Sequence, residues 1–101
     1  MKPVIFHRDA EADLEIGVAW YEKQRVGLGA DLREKVEDAV ERILDNPAKH
    51  LRYKRKDIRK CRVKRFPYTI YFLELEDAIW IAAVAHDKRK PDYWATREPE
   101  D

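Results

Sequence analysis

Five side chains in the C-terminal half of the chain have the chemistry to handle a phosphodiester. A guanidinium binds a phosphate through two hydrogen bonds, and a histidine titrates near physiological pH and can serve as acid or base. RNA cleavage without a metal needs a base for the 2′-hydroxyl, cations for the crowded phosphate and an acid for the leaving oxygen. The candidate catalytic residues are Arg62, Arg65, His86, Arg89 and Tyr93.

The charge of the chain is strongly divided, although its formal net charge is only +1. Residues 9–45 hold eleven acids and five bases, whereas residues 49–65 hold ten bases and one acid, Asp57. The basic stretch indicates a surface for a polyanion or an acidic partner, and a solvated strand paired with acidic helices is the alternative. The candidate contacts to a nucleic acid or protein target are Lys54, Lys56, Lys60, Lys64, Lys88 and Trp94.

Length and composition exclude several classes of protein. With 101 residues and no linker, the chain is expected to form one domain over residues 1–101. The single cysteine, Cys61, excludes an internal disulfide and favours an intracellular protein. Ligand clusters and a Gly-rich phosphate loop are absent, and the longest apolar run has eight residues, against the ~20 of a membrane span. We therefore expect no metal, no cofactor and no membrane.

Hydrophobic periodicity predicts a short strand over Lys2–His7 and then two helices. Asp9 can cap the first helix, whose apolar face is formed by Ala12, Ile16, Ala19 and Trp20 and widened by Leu14, Val18 and Tyr21. The loop from Arg25 to Gly29 is short, so the helices should be antiparallel. The second helix ends at Asn46-Pro47 and has an apolar face of Leu28, Leu32, Val36, Ala39, Val40, Ile43 and Leu44.

Three strand candidates follow, over Ile58–Phe66, Tyr68–Leu75 and Ile79–His86. In the first, Cys61 and Val63 alternate with Lys60, Arg62 and Lys64. The last strand is apolar on both faces, as in a covered central strand, with Ile79, Ile81, Ala83 and Ala85 opposite Trp80, Ala82, Val84 and His86. The order β-α-α-β-β-β predicts an α+β fold, with a helical hairpin packed on a mostly antiparallel four-stranded sheet.

Four strings in this order resemble the RelE/ParE toxin superfamily, and in particular its ParE-like plasmid stabilisation branch. They correspond to the end of the first helix with its loop, the end of the second helix, the central hairpin and the C-terminal segment. The strings are residues 19–29, 43–47, 65–71 and 85–94, and the resemblance covers residues 3–97.

The resemblance implies the toxin of a type II toxin–antitoxin pair, a cytoplasmic growth inhibitor whose cognate antitoxin masks its working surface. ParE-like members poison DNA gyrase without nuclease chemistry, and the C-terminal string favours this activity. RelE-like members cut mRNA at the ribosome without a metal, so whether the chain is an enzyme stays open; a degenerate, weakly toxic member is a third alternative.

Two kinds of protein contact can also be assigned. Arg89, Tyr93 and Trp94 are residue types that dominate protein–protein interfaces, as docking on gyrase would require. Trp20 and Tyr21 are the candidate antitoxin contacts, because adjacent aromatic residues in a helix cannot both enter one core.

Overall fold

A five-stranded sheet carries both helices on one of its faces. The computed structural model describes residues 2–54 and 57–99. Its elements in chain order are β1 (Val4–Phe6), α1 (Arg8–Gln24), α2 (Leu28–Asp45), a 3-10 turn (Pro47–Lys49), β2 (Leu51–Arg52), β3 (Ile58–Arg62), β4 (Tyr68–Glu74) and β5 (Ile79–His86). The strand order is β1-β5-β4-β3-β2, with β1 parallel to β5 and every other pair antiparallel. The predicted α+β fold with its helical hairpin is confirmed.

The predicted strand count was one too low. Leu51 and Arg52 form an extra edge strand, opposite Lys60 and Arg59. Both β2 residues are exposed and only Leu51 is apolar, so no alternation marks this strand in the sequence. The strand predicted to reach Phe66 instead ends at Arg62, and the hairpin that follows contains a residue with positive φ, Arg65 at 70°.

Helix α1 turns inward the three residues predicted to widen its apolar face, Leu14, Val18 and Tyr21, but not the four predicted at its centre. It begins at Arg8, and its N-cap is His7 rather than Asp9: the His7 Nδ1 accepts a hydrogen bond from the Asp9 backbone N–H at 3.0 Å. The buried positions are Ala10, Asp13, Leu14 and Gly17, whereas the predicted face of Ala12, Ile16, Ala19 and Trp20 is exposed. The pattern misled because a carboxylate and a glycine, which carry no apolar signal, occupy two inward positions.

Helix α2 buries the face that its spacing predicts. Leu32, Val36, Ala39 and Ile43 are buried against the apolar face of β4 and β5 that carries Ile70, Phe72, Ile79 and Ile81. Leu28, Val40 and Leu44 pack around this core and are partly buried. Burial of each large aliphatic side chain contributes about 1.5–3 kcal/mol, so this layer is the main hydrophobic core.

The loop between the helices is held by a carboxylate and two glycines. Glu22 accepts hydrogen bonds from the backbone N–H groups of Gly27 and Gly29, each at 3.0 Å, where its charge suits the start of α2. Gly27 has a φ of 91°, which favours glycine. A Cβ at Gly29 would lie 2.6 Å from the Val18 carbonyl oxygen, so glycine here allows the helices to approach closely.

A β-bulge in β5 changes which side chains face the helices. Tyr71 lies opposite Ala83 and Phe72 opposite Ile81, so Ala82 is an extra residue in β5. The strict alternation predicted for this strand was therefore wrong: Val84 lies in the helix-side core with Ile79 and Ile81, whereas Ala83 and Ala85 lie on the second face beside Trp80. His86, two residues after Val84, contacts the ring of Tyr68 in the helix-side core.

The second face of the sheet is covered by the segment that follows β5. Trp94 is only 2% exposed, and its ring stacks on Tyr71 at 4.5 Å between centroids. Tyr53, which precedes β3, packs against both rings. The C-terminal segment is thus part of the folded structure and not a loose tail.

A buried ion pair ties this segment to α1 and to β5. Arg97 Nη1 donates to Asp13 Oδ2 at 2.8 Å and to the Ala82 carbonyl oxygen at 2.9 Å. Asp13 Oδ2 also accepts a hydrogen bond from the Val84 N–H at 3.2 Å. Strand β1 pairs with β5 only as far as Ile81, so the two side chains satisfy the backbone edge that β1 leaves open.

Replacement of Arg97 by Met should destabilise the protein by about 3–5 kcal/mol, because it leaves the Asp13 carboxylate buried without its cation. Adding Asp13→Asn should recover a large part of this loss, since a neutral amide oxygen can still accept from the Val84 N–H. Urea unfolding followed by circular dichroism measures both variants. The control is Arg33→Met, which removes an exposed ion pair with Glu15 and should cost no more than about 1 kcal/mol. Equal losses in the single and double variants would contradict the pairing.

Candidate functional site

The ends of three strands bring most of the candidate residues together. Strand β3 ends at Arg62, β4 begins at Tyr68 and β5 ends at His86, with Arg62 opposite Thr69 and Tyr68 opposite His86. The Asp87 N–H donates to the Pro67 carbonyl oxygen at 2.9 Å, which holds the turn after β5 against the β3–β4 hairpin. We call the exposed bases at this end the strand-end patch: Arg62, Lys64, Lys88, Arg89 and Lys90.

Within the strand-end patch, Arg62 is already engaged by a carboxylate. Its Nη1 and Nη2 donate to the two oxygens of Asp87 at 2.6 and 2.7 Å, and Nη1 also donates to Thr69 Oγ1 at 3.1 Å. The hydrogen bond from Arg62 lowers the pKa of the Asp87 carboxyl below its ordinary value. The two guanidinium nitrogens that could bind a phosphate are therefore occupied by the Asp87 carboxylate.

His86 lies at the inner edge of this cluster. Its Nδ1 accepts a hydrogen bond from the Lys88 backbone N–H at 3.0 Å, so the neutral ring carries its proton on Nε2. The ring meets Tyr68 edge to face at 5.0 Å. Burial raises the pKa of Tyr68 to about 12, so this phenol stays protonated at physiological pH.

Tyr93 is a packing residue with its hydroxyl turned away from solvent. The guanidinium carbons of Arg89 and Arg97 lie over its ring, 3.9 and 5.1 Å from the centroid. Its hydroxyl is buried and has no hydrogen-bond partner within the described parts of the chain. Burial raises the pKa of Tyr93 well above the ordinary value, which makes the phenol a poor proton donor for a substrate.

The other candidate binding residues are distributed over two surfaces. Lys54 pairs with Asp92 at 3.4 Å, and the Lys60 ammonium lies 5.7 Å from the Tyr53 ring, both beside the C-terminal segment. Trp94 is buried, so it supports this surface from beneath. Lys56 lies outside the described residues.

Arg65 is separated from the other catalytic candidates by its interactions with the helix side. Its guanidinium lies 3.9 Å from the Asp31 carboxylate of α2 and over the ring of Phe66. Arg65 was predicted to share the role of Arg62, because both are bases close together in one stretch. The left-handed backbone at Arg65 lies in the hairpin after β3, and the Arg65 side chain pairs with the helix side rather than with Asp87.

A shallow groove of about 260 Å³ runs between α1 and the strand ends. Ile16 and Trp20 form an exposed apolar wall, with 66% and 56% of their surfaces accessible. Tyr21 points inward instead, and its ring packs against Phe66 at 5.1 Å. The groove is lined by Asp13, Ile16, Gly17, Trp20, Tyr21, Tyr68, His86 and Arg89.

Gly17 forms part of this groove because it leaves room for a phenol. A Cβ at this position would lie 2.5 Å from the Tyr68 hydroxyl oxygen and 3.1 Å from Leu32. The absence of a side chain lets Tyr68 reach beneath α1, and Tyr68 lines the groove together with His86 and Arg89. The groove is therefore apolar on one wall, and polar side chains line the rest of it.

The described residues offer no other obvious chemistry. Groups of three or more His, Cys, Asp or Glu side chains that could hold a metal do not occur within residues 2–54 and 57–99. Cys61 is buried, and burial raises the pKa of its thiol, which disfavours the reactive thiolate. In the same residues, no helix has the length and apolar character that crossing a bilayer demands.

Sequence reasoning missed the acids that organise the site. Asp87 occupies Arg62, and Asp13 anchors Arg97 beneath Tyr93. Asp13 lies one turn from Ala10 and Gly17 on the buried face of α1, where a carboxylate gives no apolar signal. Its partner lies 84 positions away, which no local pattern can reveal.

Comparison with solved structures shows that this fold occurs in a known protein. A solved structure described as the chromosomal ParDE TA system from P. aeruginosa shares the fold with a TM-score of 0.65 and 22% sequence identity, over 85% of this chain and 96% of that chain. A search among curated proteins gives no significant match.

The chain belongs to the ParE toxin family, described as the ParE toxin of the type II toxin–antitoxin system parDE, which matches residues 4–91. It is thus a ParE-type toxin, and the resemblance to the RelE/ParE superfamily is confirmed. Membership of the family implies an antitoxin partner.

Replacing Arg62 by Gln should raise the pKa of the Asp87 carboxyl toward its ordinary value of 3.8. The wild-type pair favours the carboxylate in the folded state, so its contribution to stability is present above that value and is lost as the pH falls through the lower, folded pKa. Carbon-13 NMR of the Asp87 carboxyl, titrated in both proteins, measures the change. Lys64→Gln, in the same hairpin, should keep the wild-type midpoint; an unchanged midpoint in R62Q would show that Arg62 does not set this pKa.

Proposed function

We propose that this ParE-type toxin arrests growth in the cytoplasm by binding DNA gyrase and blocking it, without chemistry of its own. The observation that carries the proposal is the position of Tyr93, whose hydroxyl is buried and unpartnered among the described residues. A general acid must come within hydrogen-bond reach of the oxygen that it protonates. A phenol enclosed beneath two arginines does not meet this requirement.

The remaining groups needed for RNA cleavage are also engaged within the fold. Arg62 donates hydrogen bonds to Asp87 through both of its terminal nitrogens. The His86 Nδ1 accepts a hydrogen bond from the Lys88 N–H in the turn after β5. Arg65 lies beside Asp31 on α2. These interactions support a binding surface rather than an assembled catalytic site.

The groove beside α1 supports docking on a protein. It joins two exposed apolar side chains, Ile16 and Trp20, to an exposed guanidinium, Arg89. Tryptophan and arginine are enriched among the residues that contribute most to protein–protein binding. In this proposal Arg89 contacts gyrase, and Tyr93 holds the Arg89 side chain in position.

The antitoxin is proposed to cover the same groove. The exposed apolar face of α1, formed by Ala12, Ile16, Ala19 and Trp20, has no partner within the described chain. An antitoxin helix or strand on this face would remove apolar area from water and would hide Arg89 at the end of the groove. Binding of antitoxin and of gyrase would then be mutually exclusive.

The first test is inhibition of purified gyrase in a plasmid supercoiling assay, with mRNA integrity followed after induction in cells. The wild-type toxin should block supercoiling and leave mRNA intact. Tyr93→Phe should inhibit as well as wild type, because the hydroxyl is buried and Tyr93 does not line the groove, whereas Arg89→Glu should weaken inhibition more than about 10-fold by reversing an interface charge.

The same experiment separates the alternatives. Rapid cleavage of translated mRNA, with a loss of about 10²–10⁴-fold in Tyr93→Phe, would establish a ribosome-dependent nuclease instead. Normal growth, with supercoiling and mRNA both unaffected, would identify a degenerate toxin.

Trp20→Lys should weaken binding of the antitoxin encoded beside the toxin by about 30-fold or more, the scale of a central interface residue. Isothermal titration calorimetry with the purified proteins measures the affinity. The matched control is Val26→Lys, which replaces an apolar side chain that is 90% exposed but lies in the interhelix loop and outside the residues that line the groove. Equal affinities for both variants would place the antitoxin elsewhere.

A further inference from the structure

The strand-end patch concentrates positive charge that the fold does not neutralise. The patch contains five bases, Asp87 is the single acid within residues 62–68 and 86–91, and the strand pairing brings these two segments to one end of the sheet. Lys64, Lys88, Arg89 and Lys90 are exposed. Within residues 2–54 and 57–99, these four side chains form no ion pair with a carboxylate.

The acidic helices do not supply the missing counter-charge. Within the described β3–β4 hairpin, Arg65 is the base that pairs with a helix acid, Asp31 at 3.9 Å, and none of the four exposed bases of the patch does so. The charge division seen in the sequence therefore persists in the fold as an acidic helical side and a basic strand end. Unneutralised bases grouped in this way attract a polyanion.

The aromatic side chains near the patch indicate which part of a polyanion it would contact. Single-stranded nucleic acids bind by stacking their bases on exposed aromatic rings. Here the Tyr71 ring is stacked by Trp94, and Arg89 lies over the ring of Tyr93. These two rings are therefore packed within the fold while the bases of the patch are exposed, which suits the sugar–phosphate backbone of a duplex.

We propose that the strand-end patch binds the phosphodiester backbone of double-stranded DNA without reading its sequence. The inference rests on the proposed function, because gyrase holds duplex DNA and a toxin docked on gyrase could contact both. In this arrangement the groove beside α1 binds the protein, and Lys64, Lys88 and Lys90 bind phosphates of the adjacent DNA.

The test measures DNA binding by the purified toxin without gyrase. Fluorescence anisotropy follows a labelled duplex of about 30 base pairs over a series of salt concentrations, since phosphate contacts make the logarithm of affinity fall linearly with that of salt. The triple variant K64Q/K88Q/K90Q should bind at least about 10-fold more weakly at low salt, with a salt slope smaller by about 3.

Two further variants show whether position or net charge decides the affinity. The control R8Q/K23Q/R25Q removes the same charge from exposed residues on the helix side and should keep most of the DNA affinity. Asp87→Asn removes the one acid of the patch and releases the Arg62 guanidinium, so it should bind DNA several-fold more tightly. Thermal unfolding of each variant confirms that it is folded.

Each outcome bears separately on the two proposals. Absence of duplex binding at low salt, or equal weakening in both triple variants, would overturn the DNA proposal while gyrase inhibition could still hold. Tighter binding of single-stranded DNA or RNA than of duplex would also overturn it.

If the patch triple lost antitoxin affinity but kept DNA affinity, the partner of the patch would be an acidic protein segment, and the DNA proposal would be wrong. Patch-dependent DNA binding without gyrase inhibition would support the patch and refute the proposed target.

Discussion

The buried pair of Asp13 and Arg97 is the interaction on which the arrangement of the site depends. Strand β1 is only three residues long, so β5 continues beyond it with an open backbone edge that needs hydrogen-bond partners. One carboxylate and one guanidinium fill that gap and join α1, β5 and the C-terminal segment. Tyr93, Trp94 and Arg89 take their positions from this connection, since they lie between β5 and Arg97 in the chain.

The buried pair also explains why residues with apparent catalytic chemistry serve binding in the proposed function. The C-terminal segment is pulled across the second face of the sheet, which encloses the Tyr93 hydroxyl and places Arg89 over its ring. A phenol held in this way gives Arg89 a rigid support at the surface. An arginine held over an aromatic ring at the surface suits recognition of a partner, whereas acid–base catalysis requires a group that reaches its substrate.

The elements with strong local patterns could be predicted, and those fixed by distant contacts could not. The α2 face, the order of the elements apart from the edge strand β2, and the interior position of β5 follow from periodicity and apolar content. The centre of the predicted α1 face was wrong because Asp13 and Gly17 face inward for reasons set by Arg97 and Tyr68, which lie far along the chain. Likewise, Arg62 and His86 could be named as candidates, but Asp87, which occupies Arg62, has no sequence signal of that role.

The bulge at Ala82 has a consequence for how this toxin can vary. Downstream of the extra residue, every side chain of β5 points to the face opposite to the one that regular alternation would give it. Loss or gain of one residue at this point would turn His86 and the residues after it to the other face of the sheet. The groove would then lose His86, and the basic surface would no longer adjoin it. Diversification toward new partners in this segment is therefore confined to changes of residue type at constant length.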